Sequence, residues 1–299
     1  VKLVAVSRED EYPEAADVVL RGSMVDDNFF SCTNEKELIR AKEGLTKIFE
    51  KCGVPLHKWT SNSTIIAEPS EKEFQDIDPT DGDSRTLGLI WNTHTDELRF
   101  KSLVIDLPEE KFTRLSVLQC YMKLYDPVGL VGPVAVRARR HYSKTCQLTT
   151  GWEDPVPDEL RPKWATWFRE LRMLDQVKLQ RCVFLSERAW LAIFSDAADG
   201  AVGAVAYLVN PETTTSRLLF SKAKINAVVS NTVPALELAG TVKATAVARS
   251  LWRAYGVPVE RTYFFADAEL CVNWIRNPKR EVTQEVARKV QKIRIKTLP

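Results

Sequence analysis

The stretch Trp190-Leu-Ala-Ile-Phe-Ser-Asp-Ala-Ala-Asp-Gly-Ala-Val-Gly-Ala-Val-Ala-Tyr-Leu208 decides how the chain is read. Asp199-Gly200 between runs of apolar β-formers predicts two strands joined by a tight turn. Asp196 lies inside the first of these strands, where a carboxylate is costly unless it meets a cation or a donor. Further along, Val233-Pro-Ala-Leu-Glu-Leu-Ala-Gly240 opens a helical pattern that runs to Trp252. Pro234 suits its first turn and Gly256 its stop. That helix carries Glu237. Asp267 follows Thr262-Tyr-Phe-Phe-Ala266, read as a buried strand, and precedes a short helix through Cys271, Trp274 and Ile275. One acid on a strand, one on a helix and one past another strand can meet at a point. Converging carboxylates repel one another unless a divalent cation such as Mg²⁺ neutralises them.

The wording of these segments, Phe194-Ser-Asp-Ala197, Val233-Pro-Ala-Leu-Glu-Leu238 and Ala266-Asp267 with Trp274-Ile275, resembles the ribonuclease H region of BEL/Pao retrotransposon polyproteins. The resemblance implies that Asp196, Glu237 and Asp267 are catalytic and metal-binding. Asp196 would bridge two Mg²⁺ ions (Mn²⁺ is the alternative), Glu237 would hold the ion on the leaving-group side, and Asp267 would share the other. Such ion pairs stand ~3.5–4 Å apart and brace the attacking and leaving oxygens of an in-line displacement. The family's fourth acid is expected beyond Pro299, so activity in this excerpt is expected to be weak.

Upstream, Met24-Val-Asp-Asp27 resembles the tyrosine-x-Asp-Asp box of reverse-transcriptase palms, with Met24 in the bulky position. Val18–Leu20 and Phe29–Cys32 are expected as strands around it. Asp26 and Asp27 would be an incomplete polymerase metal site. The acids before them, Glu9, Asp10, Glu11, Glu14 and Asp17, lack the strand context of the partner aspartate. Asn34-Glu-Lys-Glu37 is an N-cap signature for a helix closed near Gly53. Leu56-His-Lys-Trp-Thr-Ser-Asn-Ser63 resembles wording at the end of the palm in the same family, with His57 and Trp59 read as packing residues.

Glu68–Arg85 is acidic and rich in turn formers, hence a linker. Strands are expected at Thr86–Trp91 and Leu98–Val104, resembling a primer-grip hairpin. Helices are expected at Phe112–Tyr125, Val134–Leu148 and Glu159–Leu174. Tyr125-Asp-Pro-Val-Gly-Leu-Val-Gly-Pro133 between the first two is a rigid turn that also matches BEL/Pao wording. Arg137, Arg139, Arg140 and Lys144, with His141, are candidates for gripping a phosphate backbone by counterion release. Trp152, Trp164 and Trp167 read as core. Past the hairpin, a third strand is expected at Thr215–Lys222, a loop at Ala223–Asn231, and a basic helical tail at Lys279–Lys296.

The expected fold class is α/β, α+β overall. A partial reverse-transcriptase palm occupies residues 1–67 and a helical thumb/connection region 68–180. A ribonuclease H-like mixed sheet flanked by helices occupies 181–299. Composition agrees with a globular intracellular protein: 42 basic against 40 acidic residues, six scattered cysteines without a C-x-x-C pair, and no apolar run approaching the ~20 residues of a membrane span. A cytoplasmic virus-like particle or the nucleus is the expected location. Expected partners are an RNA–DNA hybrid or template–primer and the remainder of the Pol polyprotein, with no membrane. The alternative to a reverse transcriptase/ribonuclease H fragment is a catalytically inactive, host-retained nucleic-acid-binding or scaffold remnant. Aspartic-peptidase chemistry is excluded, since Asp81-Gly82 and Asp199-Gly200 lack the intervening hydroxyl residue.

Overall fold

The computed structural model describes residues 1–24, 27–65, 83–101, 103–105, 107, 111–183, 186–198, 200–225 and 232–297. Asp26, most of the 68–85 linker, Asp199 and residues 226–231 lie outside the described set. The chain forms two compact units. One comprises Val1–Arg85 with Ile90–Glu97, the other Thr86–Leu89 with Leu98–Pro299.

The first unit is built on α1 (Lys2–Val6), α2 (Pro13–Asp17) and α3 (Glu35–Lys51). Asn34 caps α3 as expected: its side chain accepts from the Glu37 amide at 3.0 Å while Glu37 bonds back to the Thr33 amide at 3.1 Å. Ala15, Ala16, Val18 and Val19 bury against Leu45, Ile48 and Phe49 of α3. The expected strand at Val18–Leu20 is instead a π-helical turn, Val18–Gly22, because packing on α3 outweighs the β-propensity of two valines. The strands themselves are two residues each, β1 (Ser23–Met24) and β2 (Asp27–Asn28), with Met24 opposite Asp27. Three short strands follow, β3 (Asp83–Thr86), β4 (Leu89–Asn92) and β5 (Glu97–Phe100). Leu87 and Gly88 are not strand but turn residues, both at positive φ (48° and 76°).

The second unit begins with a helical layer: α4 (Arg114–Met122), α5 (Gly132–Leu148) and α6 (Arg161–Glu170), then a 3₁₀ turn at Leu171–Gln176 and β6 (Lys178–Gln180). Thr113 and Ser116 form a capping box that starts α4 two residues later than the apolar pattern suggests. Trp164 and Trp167 are fully buried, as expected, and centre a core with Phe112, Val117, Leu160 and Phe168, whereas Trp152, also expected in the core, is exposed with the Arg114 guanidinium over its ring. The ring N–H groups of Trp164 and Trp167 donate to Thr145 Oγ1 (3.3 Å) and the Val134 carbonyl (2.9 Å), so neither indole leaves a buried donor unpaired.

The remaining elements are β7 (Trp190–Ala198), β8 (Ala201–Asn210), β9 (Thr215–Ile225), α7 (Val233–Tyr255), β10 (Thr262–Phe265), α8 (Glu269–Arg276) and α9 (Gln284–Thr297). The sheet runs β10-β7-β8-β9, antiparallel except for β10, which is parallel to β7. Leu191, Ile193, Ala204, Ala206 and Leu208 bury against Ala244, Val247, Ala248 and Leu251 of α7. Val290 and Ile293 of α9 pack with Leu238 and Cys271. Three expectations shift. β9 continues through Ala223–Ile225, paired to Gly203–Ala201, rather than ending at Lys222. β10 is half-exposed, with Tyr263 and Phe265 outward, since α7 covers only one face of the sheet. The basic tail is helical from Gln284, after Thr283, whose hydroxyl accepts from the Val286 amide at 3.5 Å.

Candidate metal centre

Parallel pairing of β7 and β10 sets Phe265 opposite Phe194. Asp196 and Asp267 each come two residues after that matched pair, so both carboxylates emerge at the same end of neighbouring strands. Glu237 enters from the first turns of α7, which Pro234 initiates and Gly256 ends in the left-handed conformation (φ 65°). Gly240, one turn later, brings α7 close to β7: a Cβ there would lie 3.2 Å from the Asp196 carbonyl oxygen. One ligand atom from each of Asp196, Glu237 and Asp267 falls within 4.8 Å of the others. Asp196 and Asp267 are exposed, while Glu237 is buried.

The electrostatics are those of an unneutralised anionic pocket. Burial, then repulsion from Asp267 and Asp196, raises the Glu237 pKa above its ordinary 4.5, and the Ala197 amide offsets part of this. That amide also donates to Asp196 Oδ1 at 2.7 Å. Glu237 Oε2 is buried with no hydrogen-bond partner. Among the described residues no lysine or arginine pairs with any of the three acids. Asp196 and Asp267 border a groove of about 1130 Å³ that also runs past Phe194, Phe265, Tyr207 and Gly129. Arg276 of α8 reaches its wall.

This triple is the one acidic group of its kind among the described residues. Asp27 is exposed at the two-residue strand β2, and Asp26 lies outside the described set. The expected basic grip on α5 is largely engaged elsewhere. Arg137 pairs with Glu170, Arg139 donates to Tyr121 Oη (2.8 Å) and the Ala223 carbonyl (2.7 Å), and Arg140 has a partner as well. Lys144 stands exposed. His141 packs its ring 5.6 Å from Trp164, and burial followed by the charge of Arg137 lowers its pKa.

Comparison with known proteins gives the context. A family described as the Pao retrotransposon-like RNaseH-like domain matches residues 113–268, half of the chain. The chain belongs to the Pao retrotransposon family. Two solved structures resemble this Pao chain: a foamy viral protease–reverse transcriptase dRH in complex with double-stranded DNA, and a foamy viral protease–reverse transcriptase in complex with double-stranded DNA. TM-scores are 0.54 and 0.53, each at 12% identity, with 95% and 97% of the Pao chain covered. The Pao chain spans about half of those proteins, 46% and 56%. No curated protein matches it. The fold is ribonuclease H-like, and the chain carries this domain of a retroelement Pol. No described helix is long and apolar enough to cross a membrane.

Sequence reading missed Gly240, Arg276 and the lysines of β9 and α7. Gly240 carried a usable signal, because glycine inside a helix costs about 1 kcal/mol against alanine and so points to a close approach.

Proposed function

We propose that this chain is the ribonuclease H portion of a Pao-type Pol polyprotein and hydrolyses the RNA strand of RNA–DNA hybrids with divalent metal ions. The observation that carries the reading is Glu237 Oε2, a buried carboxylate oxygen without a partner, among three acids whose ligand atoms lie within 4.8 Å. An all-oxygen, carboxylate-rich donor set suits Mg²⁺ or Mn²⁺. Bound there, such ions supply charge stabilisation to a phosphate in displacement, worth several kcal/mol.

The chain's own residues supply placement. Asp196, held by the Ala197 amide, and Asp267, at the end of the adjacent parallel strand, present exposed oxygens to the groove. Glu237, fixed on α7, closes the inner side. The groove of about 1130 Å³ that Asp196 and Asp267 border is proposed as the seat of the nucleic-acid backbone. A low rate for this chain by itself is part of the proposal. Residues 1–67 and 68–180 are proposed as palm and thumb/connection portions, with Asp26 and Asp27 as remnants of a polymerase site. Arg137, Arg139, Arg140 and Lys144 are proposed as backbone contacts, Lys144 foremost.

Calorimetric titration with Mg²⁺ and Mn²⁺, alongside hydrolysis of a labelled hybrid, tests the reading. Wild type should bind the ions and release RNA fragments; Asp196→Asn should lose both, with the rate down by ~10²-fold or more. Equal metal binding in the two proteins would overturn it in favour of a scaffold without chemistry.

A further inference from the structure

Lys222 and Lys224 alternate along β9 opposite Ala204 and Val202 of β8. Those two β8 residues are buried on the face that α7 covers, so both lysines project towards that face. Lys243 comes from α7 itself and is half-buried. Arg139 arrives from α5: its guanidinium donates to the carbonyl of Ala223, the residue between the two lysines, at 2.7 Å. Four cations from three separate elements are thereby gathered at one end of the edge strand.

The gathering opposes folding, because like charges repel and a half-buried ammonium loses hydration. Burial, then the charges of Lys222, Lys224 and Arg139, holds the Lys243 pKa below its ordinary 10.5. No carboxylate among the described residues pairs with Lys222, Lys224 or Lys243. The adjoining stretch 226–231, Asn-Ala-Val-Val-Ser-Asn, contains no acid that could do so. A set of uncompensated cations fixed by backbone and helix packing matches a ligand that brings several negative charges.

We propose that Lys222, Lys224 and Lys243, supported by Arg139, form a phosphate-binding site that holds the sugar–phosphate backbone of a nucleic acid alongside the carboxylate centre. Lys243 follows Glu237 by six residues on α7, about 9 Å along the helix axis. A strand held at the lysines is thus within a few nucleotides of the acids. The inference takes its choice of ligand from the nuclease reading, but it concerns binding and not hydrolysis.

The test is fluorescence anisotropy of a labelled RNA–DNA hybrid with the full chain in EDTA, across a salt series. Lys222→Gln/Lys224→Gln/Lys243→Gln should bind at least ~10-fold more weakly. The slope of log K against log salt should become shallower by about 0.9 for each phosphate that is no longer neutralised. Lys243→Arg should keep most of the affinity that Lys243→Gln loses. Wild-type affinity and slope in the triple variant would overturn the site, and so would equal losses in Lys243→Arg and Lys243→Gln, which would assign the defect to packing. Loss of binding in the triple variant together with no acid-dependent Mg²⁺ binding would leave the phosphate site standing and remove the nuclease.

Discussion

Gly240 of α7 stands over the main chain of Asp196, so that a Cβ on the glycine would lie 3.2 Å from the aspartate's carbonyl oxygen and 3.7 Å from its amide nitrogen. This close approach fixes the distance between the helix that carries Glu237 and the strand that carries Asp196. Gly240→Ala adds helix propensity worth about 1 kcal/mol but pushes the two backbones apart by a few tenths of an ångström. We expect stability to change by less than ~1 kcal/mol in denaturant titration, while calorimetric Mg²⁺ affinity falls several-fold. Gly240→Leu should lower both. An alanine variant with wild-type Mg²⁺ affinity would show that the close approach does not set the geometry of the acids.

Glu237 makes the stability of the domain depend on pH in a defined sense. Its carboxyl is raised above 4.5 by burial and by Asp267 and Asp196, so the folded state keeps the proton to higher pH than the unfolded state does. Stability from this group is therefore present at and below 4.5 and is lost as pH rises through the folded value. In EDTA at neutral pH, Glu237→Gln should melt at or above the wild-type temperature, with the difference closing as pH falls towards 4.5. Saturating Mg²⁺ should raise the wild-type Tm and leave the variant unmoved. A variant that melts well below wild type in EDTA at neutral pH would refute the repulsive pocket.

The phrase Tyr125–Pro133 has a structural purpose that predicts a stability defect. The Asp126 carboxylate accepts from the Leu130 amide (2.8 Å) and the Val131 amide (3.0 Å), closing the turn before α5. The turn then docks on the outer edge of β9, where the Ser221 amide donates to the Val128 carbonyl at 2.9 Å and the Ser221 hydroxyl to Gly129 O. Gly129 has φ 76°, and a Cβ there would meet the Ser221 carbonyl oxygen at 2.0 Å. Gly129→Ala should therefore cost at least ~2 kcal/mol, from the left-handed backbone and the clash together. Asp126→Ala should cost ~1–3 kcal/mol by leaving two amides unpaired. Both are measurable by urea unfolding; a neutral Gly129→Ala would contradict the docking.

The parts of the fold that were legible in the sequence are those fixed by local chemistry. Asn34, Pro234 and Gly256 mark helix ends because a cap or a left-handed residue is needed at those positions. Paired apolar runs gave away β7 and β8. What escaped depended on partners distant along the chain. Val18-Val19 has strand composition and becomes helical only because α3 lies beneath it. Lys222 read as the last residue of a strand and Lys224 as part of the loop after it, and only pairing with Ala204 and Val202 shows that β9 continues. Arg137 and Arg139 read as free cations until Glu170, Tyr121 and Ala223 are found against them. At the metal centre, the three acids were legible as residue types at strand and helix ends, but not the orphaned oxygen of Glu237.

His141 gives a second pH signature, opposite in sense to that of Glu237. It sits among Arg137, Arg140, Lys144 and Lys163 with its ring against Trp164, and burial first, then those charges, lowers its pKa from 6.5. The folded state therefore releases the proton more readily than the unfolded state. Its stabilising contribution is complete above 6.5 and is lost as pH falls from there towards the folded value. Urea unfolding on either side of 6.5 should show wild type losing stability on the acid side, and His141→Gln should flatten that part of the profile. The glutamine variant should also be less stable at neutral pH, by roughly 1–2 kcal/mol, because no imidazole then packs on the indole. A wild-type profile that is level across 6.5 would mean that His141 takes up a proton in place, and the neutral ring against Trp164 would have to be abandoned.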